Sequence, residues 1–106
     1  MRGIVLVTAL VWAGTATAQG MGDAEAGRAL AEEHCARCHD IEPGGAFKQD
    51  PPSFAAIAVY RTAEDITGRI WYPAMHTRMP PMSMLMTPEQ VDNLTAYIVS
   101  LEGMAP

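Results

Sequence analysis

Apolar residues recur at helical spacing in four stretches of this chain, and each stretch follows a residue suited to a helix N-cap. The first follows Asp23 and runs to about Cys35, with Glu25 in its first turn. Its small or apolar face is formed by Gly27, Leu30 and Ala31. The second stretch follows Ser53 and is short. Its apolar positions are Phe54, Ile57, Ala58 and Tyr60.

The third and fourth stretches have stronger boundary signals. Thr62 begins the third, which ends before Pro73. Its apolar residues are Ile66, Ile70 and Trp71. Thr87 begins the fourth, with Pro88 at the first helical position and Gln90 at the third, as in a capping box. The residues that repeat along it are Val91, Leu94, Tyr97, Ile98 and Leu101, before the stop at Gly103.

Two irregular segments separate these helices. Residues 40–52 are rich in glycine and proline, and residues 73–86 contain three prolines and five methionines without a sustained period. We therefore predict loops in both places. With no strand pattern elsewhere, the chain is predicted to be an all-α domain of about four short helices.

The strongest chemical signal is Cys35-Ala36-Arg37-Cys38-His39. This C-x-x-C-H pattern is that of covalent c-type haem attachment. The two thiols lie on one turn, where each can add to a haem vinyl group. The imidazole of the next residue then lies under the iron and supplies the proximal ligand.

Two other sites use paired cysteines, a zinc site and a thioredoxin-like dithiol. Zinc needs two further ligands, but the chain has two cysteines, and neither His34 nor His76 has finger spacing. The dithiol needs a βαβ context that this sequence lacks. We therefore predict one covalently attached haem c.

The N-terminus has the form of a secretory signal. A short positive region at Arg2 precedes an apolar run from Ile4 to Trp12 that is too short to span a bilayer. Ala16-Thr17-Ala18 is a small-x-small cleavage site. We predict a cleaved signal peptide at 1–18, a single haem domain at 19–106, and a periplasmic location without a stable membrane anchor. A retained anchor is the alternative.

The net charge of −5 argues against nucleic-acid binding, which requires a basic face. Lys48 is the only lysine of the chain. The sequence also lacks a Ser/His/Asp arrangement, a phosphate-binding loop or a carboxylate pair suited to bond chemistry. We therefore do not expect an enzyme.

Together, the haem motif at the end of a helix, the late Met79-Pro80 and the terminal helix resemble a class I monohaem cytochrome c. Two further stretches, Pro51 to Phe54 and His76 to Pro80, resemble small bacterial periplasmic members. The resemblance implies helices wrapped around one haem. It also implies that the first and last helices cross at right angles, with Gly27 admitting Tyr97.

The same resemblance implies a distal iron ligand from the late loop, residues 73–86, namely a methionine followed by proline. Met79 matches this pattern, and Met82 is the alternative. A soft thioether in this role favours ferrous iron and closes the sixth coordination position. Met79, Met82 and Met84 also raise the alternative of a Cu(I) site. His76 is expected at the haem rim or the surface.

A proline carbonyl after the haem motif is implied as the acceptor for the proximal imidazole. Pro51 and Pro52 both qualify, and Trp71 is expected to border the haem. The expected function is electron transfer between a dehydrogenase or reductase and an oxidase, as a monomer. The alternatives are a cytochrome subunit bound to a periplasmic dehydrogenase in a heterodimer, and a gas-binding haem sensor.

Overall fold

The computed structural model describes residues 2–10, 22–46, 50–75 and 77–104. Its helices are α1 (Ala24–His34), α2 (Phe54–Tyr60), α3 (Ala63–Trp71) and α4 (Pro88–Ser100). All elements in these ranges are helical, which confirms the all-α prediction. The predicted cleavage after Ala18 and the side chain of His76 lie outside the described residues.

Each helix begins where its N-cap was predicted, because the capping residue bonds its own first turn. The side-chain oxygens that accept a backbone N–H belong to Asp23, Ser53, Thr62 and Thr87. At α4 the capping box is complete. The Thr87 hydroxyl accepts from the Gln90 N–H at 3.2 Å, and the Gln90 side chain accepts from the Thr87 N–H at 2.9 Å.

The loop prediction for residues 73–86 was wrong at three positions. Met82–Met84 form a short 3₁₀ helix, and the N–H groups of Leu85 and Met86 both donate to the Met82 carbonyl. Prolines predict an interruption of regular structure, but a single 3₁₀ turn needs little sequence periodicity. The turn folds the late loop back against α3.

The packing of α1 against α4 forms the main contact between helices. Gly27 lies directly against α4, where an added Cβ would overlap the backbone of Asn93 and lie 2.9 Å from the Cβ of Tyr97. The Asn93 side chain also accepts the N–H of Asp23 at 2.8 Å, which links the start of α1 to α4. Glycine therefore permits the close approach of the two helices.

The apolar core lies between α4 and the other three helices. Leu94 and Val91 on α4 are fully buried. The other core side chains include Ala31, Cys35, Ile41, Phe54, Ile66, Ile70, Met82, Met86, Tyr97 and Leu101. Cys35 of the haem motif and Met82 and Met86 of the late loop thus contribute to one core.

Among the described residues, no helix combines the length and the apolar character needed to cross a bilayer.

Candidate haem site

The haem motif is wound into a turn directly after α1. The N–H of Cys35 donates to the Ala31 carbonyl at 2.9 Å, and the N–H groups of Cys38 and His39 donate to the Cys35 carbonyl at 3.1 and 2.9 Å. This winding brings the two thiols and the imidazole onto one compact segment, the arrangement that attachment of a single macrocycle requires.

The two thiols differ in environment. Cys35 belongs to the core, and burial raises the pKa of its thiol to about 11. Cys38 is exposed to solvent. Because a thiolate is the nucleophile, the packed fold protects Cys35 from reaction more than Cys38.

The imidazole of His39 is oriented by a backbone carbonyl. Its Nδ1 lies 2.7 Å from the carbonyl oxygen of Pro52, which can only accept, so Nδ1 carries the proton. The other nitrogen, Nε2, therefore keeps its lone pair free for a metal ion. Of the two prolines that the sequence left open, the structure places Pro52 at this position.

Aromatic packing supports the same imidazole. The ring of Phe54 lies 5.4 Å from the His39 ring at a tilt of 48°. The N–H of Phe54 also donates to the Asp40 carbonyl at 2.8 Å. The start of α2 therefore holds both the ring of His39 and the backbone that follows it. A tautomer fixed for iron ligation, beside two cysteines on one turn, is the donor set that a c-type haem requires.

The methionines of the late loop fall into three environments. Met82 and Met86 are buried in the apolar core. Met75 and Met84 are exposed. Met79 is intermediate, neither packed in the core nor fully in solvent. Burial thus separates the two candidate distal ligands, because the side chain of Met82 already has apolar partners.

The remaining predicted residues lie near this region or apart from it. Trp71 is half-buried at the end of α3 and packs against the core. His34 is half-buried at the end of α1, with its Nε2 3.7 Å from the Glu33 carboxylate. Among the described residues, no group of three or more His, Cys, Asp or Glu side chains is arranged to hold a metal ion.

Sequence reasoning missed a polar network that binds the residues following His39. The hydroxyl of Tyr97 donates to the Ile41 carbonyl at 2.6 Å. The guanidinium of Arg28 donates to both carboxylate oxygens of Glu42, at 2.8 and 3.0 Å. The available signal was a tyrosine on the buried face of α4, whose hydroxyl needs a partner when buried.

The profile of the cytochrome c family matches residues 24–102. A cbb3-type cytochrome c oxidase subunit, FixPc of Rhizobium leguminosarum bv. viciae, is 33% identical over 98 residues, which cover 92% of this chain and 34% of that protein. The cbb3-type oxidase subunit FixP of Rhizobium etli is 31% identical over the same shares of the two chains. The chain thus spans about a third of the length of these curated relatives.

The family match covers α1 to α4, the haem motif and the late loop. It agrees with the helical architecture and with a histidine, directly after the two cysteines, whose Nδ1 is held by a backbone carbonyl and whose Nε2 is free. This chain therefore belongs to the cytochrome c family, whose members carry covalently attached haem c and transfer electrons.

Proposed function

We propose that the chain is an exported periplasmic electron carrier, passing single electrons from a dehydrogenase or reductase to an oxidase. In this proposal Cys35 and Cys38 form the thioether bonds, His39 is the proximal iron ligand and Met79 the distal one. The haem supplies an iron that changes reversibly by one electron. The observation that carries the proposal is the 2.7 Å contact between His39 Nδ1 and the Pro52 carbonyl. It leaves Nε2 free and keeps the imidazole electron-rich.

Burial of the neighbouring methionines supports the choice of Met79. A side chain packed in the core must leave its apolar contacts before it can reach a metal, and this loss applies to Met82. A fully exposed side chain must lose rotamer freedom instead, which applies to Met84. Met79 is half-buried, so it has only a smaller share of each cost. Trp71, half-buried beside the core, is proposed to border the haem.

Large exposed apolar side chains on both sides of Met79 suggest where a redox partner docks. They are Tyr72, Met75, Met84 and Leu85. Exposed apolar patches mark contact surfaces, and these four residues lie near Met79 along the chain. We expect the change Leu85→Glu to slow electron transfer with the protein partner severalfold, while leaving the rate with a small inorganic reductant unchanged. A change in both rates would mean that the haem site itself was altered.

The ligand assignment is tested by three alanine variants of the holoprotein. Visible spectra are recorded for the oxidised protein, the reduced protein and the reduced protein under carbon monoxide. The parent is expected to be low-spin and unchanged by carbon monoxide, because both axial positions are filled. Met79→Ala is expected to become high-spin when reduced and to bind carbon monoxide.

Two neighbouring methionines provide matched controls. Met82→Ala is expected to keep the low-spin spectrum but lose about 2–5 kcal/mol of stability, as for a buried methionine. Met84→Ala is expected to change neither the spectrum nor the stability, because Met84 is exposed. A low-spin Met79→Ala variant together with a high-spin Met82→Ala variant would move the distal ligand to Met82. A parent that binds carbon monoxide would favour the gas-binding sensor.

A second candidate is a subunit held in a stable redox complex. Its support is the comparison, since the relatives are named as cbb3-type oxidase subunits and are about three times as long as this chain. For this candidate, the comparison favours an oxidase complex over the dehydrogenase complex that the sequence analysis gave as an alternative. Purification from native membranes and periplasm at high salt separates the two candidates. A free carrier elutes alone, whereas a subunit remains with larger proteins.

Export is tested independently. The proposal places cleavage after Ala18, so the mass of the mature protein is expected to equal residues 19–106 plus one haem. Recovery after osmotic shock would support the periplasm. A mass that includes residues 1–18, with the protein in the membrane fraction, would support the retained anchor.

A further inference from the structure

The three residues that follow His39 are each held by a different helix. The Asp40 carbonyl accepts the N–H of Phe54 at the start of α2, at 2.8 Å. The Ile41 carbonyl accepts the hydroxyl of Tyr97 on α4, at 2.6 Å. The carboxylate of Glu42 accepts two hydrogen bonds from Arg28 on α1. We call residues 40–42 the proximal segment.

Arg28 joins the attachments of Ile41 and Glu42. One terminal nitrogen binds both carboxylate oxygens of Glu42, and the other lies 3.4 Å from the Tyr97 hydroxyl. Its Nε donates to Glu32 at 3.1 Å, and the guanidinium carbon lies 5.9 Å from the centre of the Tyr97 ring. The planar, rigid fork of arginine suits this use of several partners at once.

The hydroxyl of Tyr97 acts as a donor in this network. Burial raises the pKa of Tyr97, so the phenol stays protonated at neutral pH. The hydrogen bond to Glu42 raises the pKa of Arg28, so the guanidinium stays charged. Both groups therefore hold a constant protonation state, and the network acts as a fixed support.

The network is also connected to the proximal imidazole through ring packing. Phe54 lies between Tyr97 and His39, with ring centres 6.4 Å and 5.4 Å away. Displacement of Tyr97 or of the proximal segment would therefore displace His39, both through the backbone and through Phe54. Such a displacement would weaken the hydrogen bond between His39 Nδ1 and the Pro52 carbonyl.

We propose that Arg28 and Tyr97 are positioning residues that hold the proximal segment, and thereby keep His39 hydrogen-bonded to the Pro52 carbonyl. The inference rests on the proposed function in one respect, the ligation of iron by His39. The ion pair itself contributes little to global stability, because the Arg28 and Glu42 side chains are 39% and 58% exposed. Its effect is therefore expected at the imidazole more than in the free energy of unfolding.

The test uses Tyr97→Phe and Arg28→Gln in the holoprotein. Tyr97→Phe removes the hydroxyl and keeps the ring, while Arg28→Gln removes the planar guanidinium and its charge. Proton NMR of the reduced protein in D₂O measures the exchange rate of the His39 Nδ1 proton. We expect this exchange to be about five- to tenfold faster in each variant, because loss of a hydrogen bond eases local opening. We also expect a higher reduction potential, since a weaker bond to Pro52 makes the imidazole a poorer donor to ferric iron.

Three comparisons separate positioning from general destabilisation. Arg61→Gln removes an ion pair of similar exposure, Arg61 with Asp65 at 3.1 Å, whose side chains are 45% and 39% exposed. That pair does not involve the proximal segment, so exchange at His39 and the potential are expected to stay at parent values. Arg28→Lys keeps the charge without the fork and is expected to restore the parent rate only in part. Amide exchange in the middle of α4 is expected to stay unchanged in Arg28→Gln.

Parent-like exchange at His39 and a parent-like potential in Arg28→Gln would overturn the inference, whether or not Tyr97→Phe folds. Equal acceleration of the His39 proton and of the α4 amides would also overturn it, because that result describes loss of global stability. Failure of the proposed function has a different signature. In that case the parent protein itself would lack the spectrum of histidine-ligated low-spin haem.

Discussion

Replacing Gly27 by alanine is expected to destabilise the protein, although the same change in an exposed helix is stabilising. An added Cβ would overlap the Asn93 carbonyl and lie 2.9 Å from the Cβ of Tyr97. These atoms belong to the α4 backbone or are attached directly to it. Rotation of a side chain therefore cannot relieve the overlap, and α1 must move away from α4.

The magnitude follows from two opposing effects. Overpacking a well-packed contact costs about 1–3 kcal/mol. We take the upper end of this range because the added Cβ would overlap backbone atoms. Alanine recovers about 1 kcal/mol over glycine through its higher helix propensity. The net loss is about 2 kcal/mol. In a domain of this size that corresponds to a melting temperature lower by about 8–16 °C.

Gly68 provides the matched control. It is an exposed glycine within α3, and an added Cβ there meets no atom within 4 Å. Gly68→Ala is expected to raise the free energy of unfolding by up to about 1 kcal/mol. Both holoprotein variants are measured by guanidinium unfolding followed by circular dichroism, comparing midpoints at a common slope. If Gly27→Ala unfolds at the same or a higher denaturant concentration than the parent, the close approach is not what requires glycine.

Three further results are expected from the holoprotein. Thr87→Ala should lose about 1 kcal/mol, as should Thr62→Ala, because each change removes only a hydroxyl that accepts a first-turn N–H; the Gln90 side chain keeps its bond to the Thr87 backbone N–H, and a much larger loss for Thr87→Ala would contradict this. Leu94→Ala should lose about 3–5 kcal/mol by opening a cavity in the core, and a loss below about 1 kcal/mol would contradict full burial. Burial raises the pKa of the Tyr97 phenol in the folded protein. Above about pH 10 the phenol of the unfolded chain therefore loses its proton first, and the free energy of unfolding falls as the pH rises through the folded-state pKa. Unfolding of Tyr97→Phe between pH 9 and 11 should fall less steeply, and a slope identical to the parent would argue against this linkage.

The helices could be predicted because their signals are local. An N-cap bonds its own first turn, so Asp23, Ser53, Thr62 and Thr87 each mark a helix start wherever the helix later packs. The haem motif is local in the same sense, since a single turn holds its three functional side chains. The 3₁₀ helix at Met82–Met84 was missed because three residues are too few to display a period.

The candidate site was only partly predictable. Two adjacent prolines look alike in a sequence, and the contact between the Pro52 carbonyl and His39 depends on how residues 40–52 return to the haem motif. In the same way, the sequence gives no sign of which of two methionines three residues apart, Met79 or Met82, is buried. Met82 is packed in the core and Met79 is not, and that difference arises from the fold of the late loop against α3.

The sequence by itself determined the chemistry and the local elements of this protein: two thiols and an imidazole on one turn, a haem as the cofactor, and four capped helices. Those features depend on residues a few positions apart, whose geometry a single turn sets. The tertiary structure alone decided the acceptor for the His39 imidazole, the burial that separates Met79 from Met82, and the attachment of the proximal segment to Arg28 and Tyr97. These contacts join residues 13 to 56 positions apart, so they exist only once packing of the helices has brought them together.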